Sequence, residues 1–229
     1  MPVIYVINAS SRTDTGITAD LQKSLHWADR PGLVEMRCVT LEDGPNGIST
    51  ERDSNDAAPA VLRFIERMGA RPETAGFVIA CFSDPGLHAA RDLTWHPVAG
   101  IGEAGLLAGL GLGERIGTIS VSAGGESKIR RQLRQIGVGD RLAGHRGLGL
   151  DYGQLRDPAV VTDRLIVAAR SLREDDDAKA LVFAGAGMAR YVAPVLEAVG
   201  LPVVDPTQAA AGLVLAQYLQ ASYRMERQS

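Results

Sequence analysis

One thiol in this sequence lies in a setting that favours chemistry: Cys81, in the segment Ile79 to Leu87 (IACFSDPGL). The apolar run from Gly76 to Cys81 predicts a buried strand, and a helix is predicted from Pro85 with Asp84 as its N-cap. Ligands of open α/β sheets bind at the carboxyl ends of strands, and the start of a helix favours a thiolate. The segment therefore predicts a reactive thiol, although residue type alone also fits a small buried side chain at the end of a core strand.

The elements that would position this thiol alternate along the chain. Apolar runs of strand length predict seven strands, and apolar residues with a 3.6-residue period predict helices between them. The predicted strands cover residues 3–8, 34–41, 76–81, 98–101, 115–121, 180–184 and 203–205. Such alternation predicts an α/β fold, with mainly parallel sheets flanked by helices.

The two halves of the chain repeat one pattern, which predicts two pseudo-symmetric lobes with an active-site cleft between them. Val98 lies 17 positions after Cys81, and Val203 lies 18 positions after Gly185, at matching points of the two halves. Any two strand–helix–strand units look alike, so a chance likeness stays open. The predicted lobes interleave within a single structural unit of residues 1–229, as residues 1–10 with about 98–205, and residues 11–97 with 206–229.

Several motifs resemble those of hydantoin and allantoin racemases, which belong to the Asp/Glu/hydantoin racemase superfamily. Residues 79–87 are similar to the first cysteine motif of these enzymes, which reads close to ACFGDPGL. Three further segments resemble the family's Gly-Pro-x-x-Ile, P-V-x-G-I-x-E-A and P-V-I-D-P stretches, namely residues 44–48 (GPNGI), 97–104 (PVAGIGEA) and 201–206 (LPVVDP). These likenesses span most of the chain in the expected order.

The sequence also departs from the family pattern at two places. The loop after the first strand reads Asn8-Ala-Ser-Ser11, where the family has Asn-Pro-Asn-Thr-Ser. Residues 184–188 read AGAGM where the family has Gly-Cys-Ala-Gly-Met, so Gly185 stands at the position of the second cysteine. The resemblance implies a two-base mechanism without a cofactor, in which one thiolate removes an α-proton and a thiol on the other face returns one. With Gly185, one face lacks its acid or base.

The resemblance implies a racemase or isomerase that acts on a small molecule, a carbon acid next to a carbonyl that is hydantoin-like or amino-acid-like. Because of Gly185, other activities stay open. One is a single-cysteine decarboxylase similar to the arylmalonate decarboxylases, which retain the cysteine of the second motif instead. Another is a cis–trans isomerase in which Cys81 adds to a double bond, and a third is a ligand-binding homologue with impaired catalysis.

The expected site residues lie at strand ends or beside the two motifs. The catalytic positions are Cys81 and Gly185, the place of the missing second cysteine. The expected substrate-binding residues are Asn8, Ser10, Ser11, Phe82, Ser83, Ser122, Ala186 and Gly187. Loop capping is an equal alternative for each serine, and Phe82 fits the core as well as a cleft wall. Cys38, inside a predicted strand, is expected to be inert.

Composition and charge argue against several other classes of protein. With 24 basic and 27 acidic side chains the net charge is −3, which gives no electrostatic case for nucleic acid or an anionic membrane. No apolar run reaches transmembrane length, residues 1–10 lack the basic start of a signal peptide, and two cysteines are too few for a disulfide scaffold. We therefore expect a cytoplasmic protein with reduced thiols, and the resemblance implies a homo-oligomer. No metal site is expected, because ligand spacing is missing among His26, His88, His96 and His145.

Overall fold

Two parallel four-stranded sheets organise the chain in the computed structural model, which describes residues 1–13, 16–29, 32–150 and 152–226. One sheet belongs to a unit formed by Met1–Ile101 and the described residues from Thr207 onward, and the other to a unit formed by Gly102–Pro206. The described strands, in chain order, are β1 (Val3–Asn8), β2 (Glu35–Thr40), β3 (Thr74–Ile79), β4 (Val98–Gly100), β5 (Ile116–Ser120), β6 (Leu142–Gly147), β7 (Ala180–Phe183) and β8 (Val203–Val204). The predicted α/β class, with a parallel sheet in each half, is confirmed.

The strand order is β2-β1-β3-β4 in the first sheet and β6-β5-β7-β8 in the second. The two orders are equivalent, which agrees with the predicted repeat. Strand β6 differs from the sequence prediction, since residues 142–147 (LAGHRG) contain two glycines and two polar side chains and do not read as a strand. It forms the edge of the second sheet, where burial alternates along the strand.

Helices connect successive strands. In chain order the described α-helices are α1 (Ile17–Ser24), α2 (Glu51–Gly69), α3 (Leu87–Leu93), α4 (Ile101–Leu112), α5 (Glu126–Gln135), α6 (Tyr152–Leu155), α7 (Pro158–Glu174), α8 (Val192–Val199) and α9 (Pro206–Glu226). None of the helices in the described ranges is long and apolar enough to cross a membrane. The chain passes from the first unit to the second at the start of α4, and returns at the start of α9.

The core of the first unit fixes the edge at which β1 and β3 end. Every residue of these two strands is buried, and Phe64 and Ile65 of α2 pack against Tyr5 and Phe77. Each fully buried side chain of this size contributes about 1.5–3 kcal/mol, so the sheet is a rigid base for the loops beyond it.

The predicted start of α3 is wrong. Asp84 is not an N-cap, because its own φ is 51° and the helix begins at Leu87 after Gly86 at φ 73°. The Asp84 N–H donates to the Cys81 carbonyl at 2.9 Å, and the Leu87 N–H donates to the Asp84 carbonyl at 3.1 Å. Because of these turns the helix begins six positions after Cys81, at Leu87, rather than four positions after it, at Pro85.

The observed units differ from the interleaved boundaries expected from the sequence. That expectation grouped residues 1–10 with about 98–205. In the structure β1 pairs with β2 on one side and β3 on the other, and these backbone hydrogen bonds make it part of the first sheet. The second unit therefore has its own complete sheet, from β5 to β8.

Candidate functional site

Cys81 follows the buried strand β3 at the carboxyl edge of the first sheet. The preceding residue, Ala80, still belongs to the sheet framework, because its N–H donates to the Ile7 carbonyl at 2.8 Å. The side chain of Cys81 is partly buried against the core, and its Sγ lies 3.1 Å from the Ser83 Oγ. Either atom of this pair can be the donor. A thiolate at this position would therefore have a hydroxyl donor within reach.

The turn that carries Cys81 is held against the end of β4. A β-carbon on Gly100, the last residue of β4, would overlap the Asp84 Cγ and Oδ1 atoms. The absence of a side chain at Gly100 therefore makes room for the Asp84 carboxyl group. The contact holds Asp84 in place, and the Asp84 N–H donates to the Cys81 carbonyl in the turn that follows Cys81.

The loop after β1 begins at the same edge, because β1 and β3 are neighbours. Asn8 is 5% exposed, and its Oδ1 accepts hydrogen bonds from the Ser10 N–H at 3.2 Å and from the Ser10 hydroxyl at 3.1 Å. Its Nδ2 donates to the Thr18 Oγ1 at 3.3 Å. These bonds give Asn8 a role in shaping the loop, and they fix the Ser10 side chain beside it.

A second loop supports the first. The Ser11 N–H donates to the Pro45 carbonyl at 3.0 Å, and a β-carbon on Gly44 would lie 2.5 Å from the Ala9 carbonyl oxygen. Glycine is needed at position 44 because two backbone segments approach closely there. The Gly-Pro stretch that was singled out in the sequence thus fixes the loop that carries Ser10 and Ser11.

Gly185 follows β7 at the carboxyl edge of the second sheet. The neighbouring Ala184 N–H donates to the Ile119 carbonyl at 2.7 Å, which anchors the start of this loop on β5. A β-carbon built on Gly185 has only the Met188 Sδ within 4 Å, at 3.5 Å, and its φ is not in the left-handed region. Gly187, by contrast, has a φ of 75°. Position 185 therefore accepts a side chain, whereas position 187 favours glycine.

A turn after β5 carries Ser122 and is fixed from beneath by polar side chains. The Ser120 hydroxyl, 6% exposed, lies 3.0 Å from the Ser122 carbonyl oxygen and 3.2 Å from that of Gly124. His145 of β6 lies 2.9 Å from the Gly124 carbonyl oxygen through Nε2, and 2.8 Å from the Thr118 Oγ1 through Nδ1. Burial lowers the pKa of His145, an effect that the Gly124 hydrogen bond partly opposes.

The place of His145 beside this turn was not predicted from the sequence, where it was one of four histidines that lack metal-ligand spacing. Among the described residues no group of three or more His, Cys, Asp or Glu side chains could hold a metal ion. The residue that faces it, Thr118, lies opposite it in the register of β5 and β6. Because β6 was not predicted, nothing in the sequence pattern pointed to this pairing.

The expected site residues fall into two groups, one in each unit. The carboxyl edge of the first sheet carries Asn8, Ser10, Ser11, Cys81, Phe82 and Ser83. The carboxyl edge of the second sheet carries Ser122, Gly185, Ala186 and Gly187. Phe82 is 4% exposed, so its side chain belongs to the core rather than to a cleft wall.

Cys38, the other cysteine, lies in a different environment. Burial, and to a lesser degree the charge of Asp29, raises its pKa to about 12. It therefore stays a neutral thiol near neutral pH. Cys38 belongs to the edge strand β2, and its backbone N–H donates to the Gln22 Oε1 at 2.9 Å.

Comparison with known proteins gives a consistent result. Residues 4–214 match the model of the Asp/Glu/Hydantoin racemase family. A hydantoin racemase from Pseudomonas sp. (strain NS671) is 30% identical over 205 residues, which cover 88% of this chain and 80% of that protein. The solved structure of allantoin racemase from Klebsiella pneumoniae superposes with a TM-score of 0.85 at 27% identity, over 96% of this chain and 89% of that one. Arylmalonate decarboxylase shares the fold, with a TM-score of 0.62 at 15% identity over 95% of this chain and 92% of that one.

Proposed function

Because the chain belongs to the Asp/Glu/hydantoin racemase family, we propose that it is a cofactor-independent enzyme that exchanges the proton of a carbon next to a carbonyl group. Its substrate class is hydantoin-like or amino-acid-like carbon acids, in keeping with the names of its relatives. Cys81 is the acid–base group. Gly185 stands where the family's second cysteine is expected, so the second face of the substrate has no thiol.

The observation that carries the proposal is the placement of Cys81. Its thiol is partly exposed at the carboxyl edge of a sheet, it has the Ser83 hydroxyl within 3.1 Å, and the Asn8 loop leaves the adjacent strand. Cys38 is also partly buried, but it lies within the edge strand β2, and burial raises its pKa to about 12. Cys38 therefore stays a neutral thiol near neutral pH, whereas Cys81 lies at a strand end beside a hydroxyl that can stabilise its thiolate, the form that accepts a proton.

The proposed proton exchange needs only the substrate, the Cys81 thiol and solvent. The Cys81 thiolate takes the α-proton, the C–H bond breaks, and its electron pair moves onto the carbonyl oxygen as an enolate. Hydroxyl groups at the strand ends, such as that of Ser11, supply donors for that oxygen. The Cys81 thiol exchanges its hydrogen with solvent and returns one to the same carbon. No oxidant, metal or cofactor is required by this step.

The replacement at position 185 has a stereochemical consequence. A thiol that removes and returns the proton on one face gives exchange with retained configuration. Inversion needs a proton on the opposite face, and at Gly185 only solvent could deliver it. We therefore expect the wild-type protein to exchange the α-hydrogen much faster than it racemises the substrate.

Solvent deuterium separates these two events. We would incubate an enantiopure 5-substituted hydantoin with the protein in D₂O, and follow label at C5 by mass spectrometry and configuration by circular dichroism. The expected result is label with retained configuration. Cys81→Ala should lower the labelling rate by at least about 100-fold, the usual contribution of one acid–base group, while Cys38→Ser should not change it.

Gly185→Cys then tests the missing partner. A second thiol should raise the ratio of racemisation to labelling by on the order of 100-fold. Gly185→Ser is the matched control, because it fills the same space without a group of suitable acidity. A folded Gly185→Cys protein with an unchanged ratio would contradict the assignment of position 185.

The alternatives give different results in the same assays. A single-cysteine decarboxylase would release CO₂ from a substituted malonate and leave the hydantoin unlabelled. A cis–trans isomerase would convert a double bond without labelling C5. A ligand-binding homologue would bind the hydantoin equally well with Cys81→Ala and would label nothing. Full labelling by Cys81→Ala would remove Cys81 from the proposed mechanism.

A further inference from the structure

We infer that His145 is a positioning residue, which holds the turn of residues 121–125 and with it the exposed Ser122 side chain at the carboxyl edge of the second sheet. This inference rests on the proposed function and on the expectation from the sequence that Ser122 contacts the substrate. His145 itself is 23 positions after Ser122 in the chain and lies beneath the turn, where its ring contacts the Gly124 carbonyl and the hydroxyls of Ser120 and Thr118.

The turn is held by its carbonyl groups. The Ser122 carbonyl oxygen lies 3.0 Å from the Ser120 hydroxyl, and the Gly124 carbonyl oxygen lies 2.9 Å from the His145 Nε2. Ser120 has a single hydroxyl proton, which cannot serve both carbonyl groups fully. The imidazole therefore supplies the second donor that the turn requires, while Ser120 serves Ser122.

The backbone around the turn leaves little room for another arrangement. A β-carbon on Gly147, at the end of β6, would lie 2.6 Å from the Gly124 nitrogen and 2.7 Å from the Ser122 carbonyl oxygen. Gly125 has a φ of 112°, and a β-carbon there would lie 3.3 Å from the His145 Nε2. The turn is thus seated directly on β6, and His145 fills the space beneath its last residue.

The hydrogen bonds also fix which nitrogen of His145 carries the proton. Since a carbonyl oxygen can only accept, the proton lies on Nε2, and Nδ1 accepts from the Thr118 hydroxyl at 2.8 Å. Thr118 is fully buried, so the ring is clamped between a core hydroxyl and the turn. Burial favours the neutral ring, and the flanking charges of Glu126, Lys128 and Arg146 partly cancel.

His145 therefore affects the site by holding the turn that carries Ser122 in one position. Without the donor at Nε2 the Gly124 carbonyl would keep only the contact to the Ser120 hydroxyl at 3.2 Å, which it would share with the Ser122 carbonyl, and the turn would sample other conformations. Ser122, whose own carbonyl is held by Ser120, would then present its hydroxyl in several orientations. Substrate binding should weaken more than the proton-transfer step, because Cys81 is on a different sheet.

The test compares His145→Leu, which removes both nitrogens, with His145→Gln, which keeps a donor and an acceptor. His26→Leu is the matched control, because His26 is an exposed histidine in the other unit. Amide hydrogen exchange over residues 120–126 reports on the turn without any substrate. KM and kcat for C5 labelling of a 5-substituted hydantoin in D₂O report on the site.

We expect His145→Leu to speed amide exchange in the turn by roughly tenfold and to raise KM by a similar factor, with a smaller change in kcat. His145→Gln should recover most of both effects, and His26→Leu should change neither. If His145→Leu fails to fold, Thr118→Val removes the hydroxyl that orients the ring and should give the same pattern in weaker form. Unchanged amide exchange in a folded His145→Leu or Thr118→Val protein would overturn the inference.

Failure of the proposed function would look different. If the wild-type protein does not label the hydantoin, that substrate class is wrong, and amide exchange alone decides whether His145 holds the turn. If labelling occurs and His145→Leu loosens the turn without raising KM, the turn does not contribute to substrate binding. That outcome would overturn the inference and leave the proposed role of Cys81 intact.

Discussion

The Cys81 sulfur lies 3.1 Å from the Ser83 hydroxyl oxygen, so that a hydroxyl donor is within hydrogen-bond distance of the proposed acid–base group. A hydroxyl that donates to sulfur stabilises the thiolate, the form that reacts. Ser83→Ala should therefore slow alkylation of Cys81 by iodoacetamide at pH 8 by about 3- to 10-fold, the value of one hydrogen bond. Ser83→Thr keeps the hydroxyl and should react at nearly the wild-type rate.

Cys38 is the internal control for that measurement. Because burial raises its pKa to about 12, it should stay unmodified at pH 8 while Cys81 reacts. Peptide mass spectrometry distinguishes the two cysteines in one sample. Equal modification of both cysteines in the folded protein would contradict the difference that we describe.

Position 185 should accept a methyl group, and position 187 should not. Gly185→Ala places its β-carbon in ordinary contact with Met188, so the free energy of unfolding should change by less than about 1 kcal/mol. Gly187→Ala puts a β-carbon on a residue with a φ of 75°, and should lower that free energy by about 1–2 kcal/mol. Urea denaturation compares the two variants, and equal losses would mean that the loop has another conformation.

Gly100 should be intolerant of substitution, because its missing side chain leaves the space that the Asp84 carboxyl group fills. Gly100→Ala forces Asp84 to move, and should lower the free energy of unfolding by about 1–3 kcal/mol and change the alkylation rate of Cys81. Gly111→Ala is the matched control, since nothing lies within 4 Å of a β-carbon there and the helix should gain slightly.

A second substitution completes this test. Asp84→Gly in the Gly100→Ala protein removes the overlapping carboxyl group, and glycine suits the φ of 51° at position 84. The double variant should recover stability relative to Gly100→Ala. If it does not, the cost at position 100 has a cause other than the Asp84 contact.

Stability should fall as the solution becomes acidic, because two histidines are held neutral by the fold. Burial lowers the pKa of both His145 and His96, against a usual value of 6.5. Below that pH the unfolded chain binds protons that the folded chain does not, so the free energy of unfolding decreases as pH falls from about 6.5 towards the lowered values. His145→Gln should remove part of this slope in denaturation curves taken between pH 7 and pH 5.

The strands that carry the expected catalytic positions were predictable because they are continuous apolar runs. Strand β3 ends at Ile79 and β7 ends at Phe183, close to the ends predicted for them, so the loops that contain Cys81 and Gly185 could be located from the sequence. An apolar run depends only on neighbouring residues, so it can be recognised in the sequence without knowledge of the tertiary structure.

Other parts of the site depend on contacts between distant residues. Asp84-Pro85 predicts the start of a helix. In the structure the Asp84 carboxyl group occupies the space beside Gly100, and the helix begins only after Gly86, whose backbone is left-handed. Likewise, His145 is meaningful only because the register of β5 and β6 places it opposite Thr118. Neither the contact of Asp84 with Gly100 nor the pairing of His145 with Thr118 can be recognised in a short stretch of sequence.

The room at Gly185 has an evolutionary consequence. Glycine codons that end in a pyrimidine become cysteine codons through a change of the first base, and a β-carbon at this position meets only ordinary contact with Met188. A lineage could thus move between a glycine and a thiol here through a single point mutation, without first acquiring compensating changes in the core. Under the proposed function, such a change would alter the stereochemical outcome of the reaction while the structure around Cys81 stays the same.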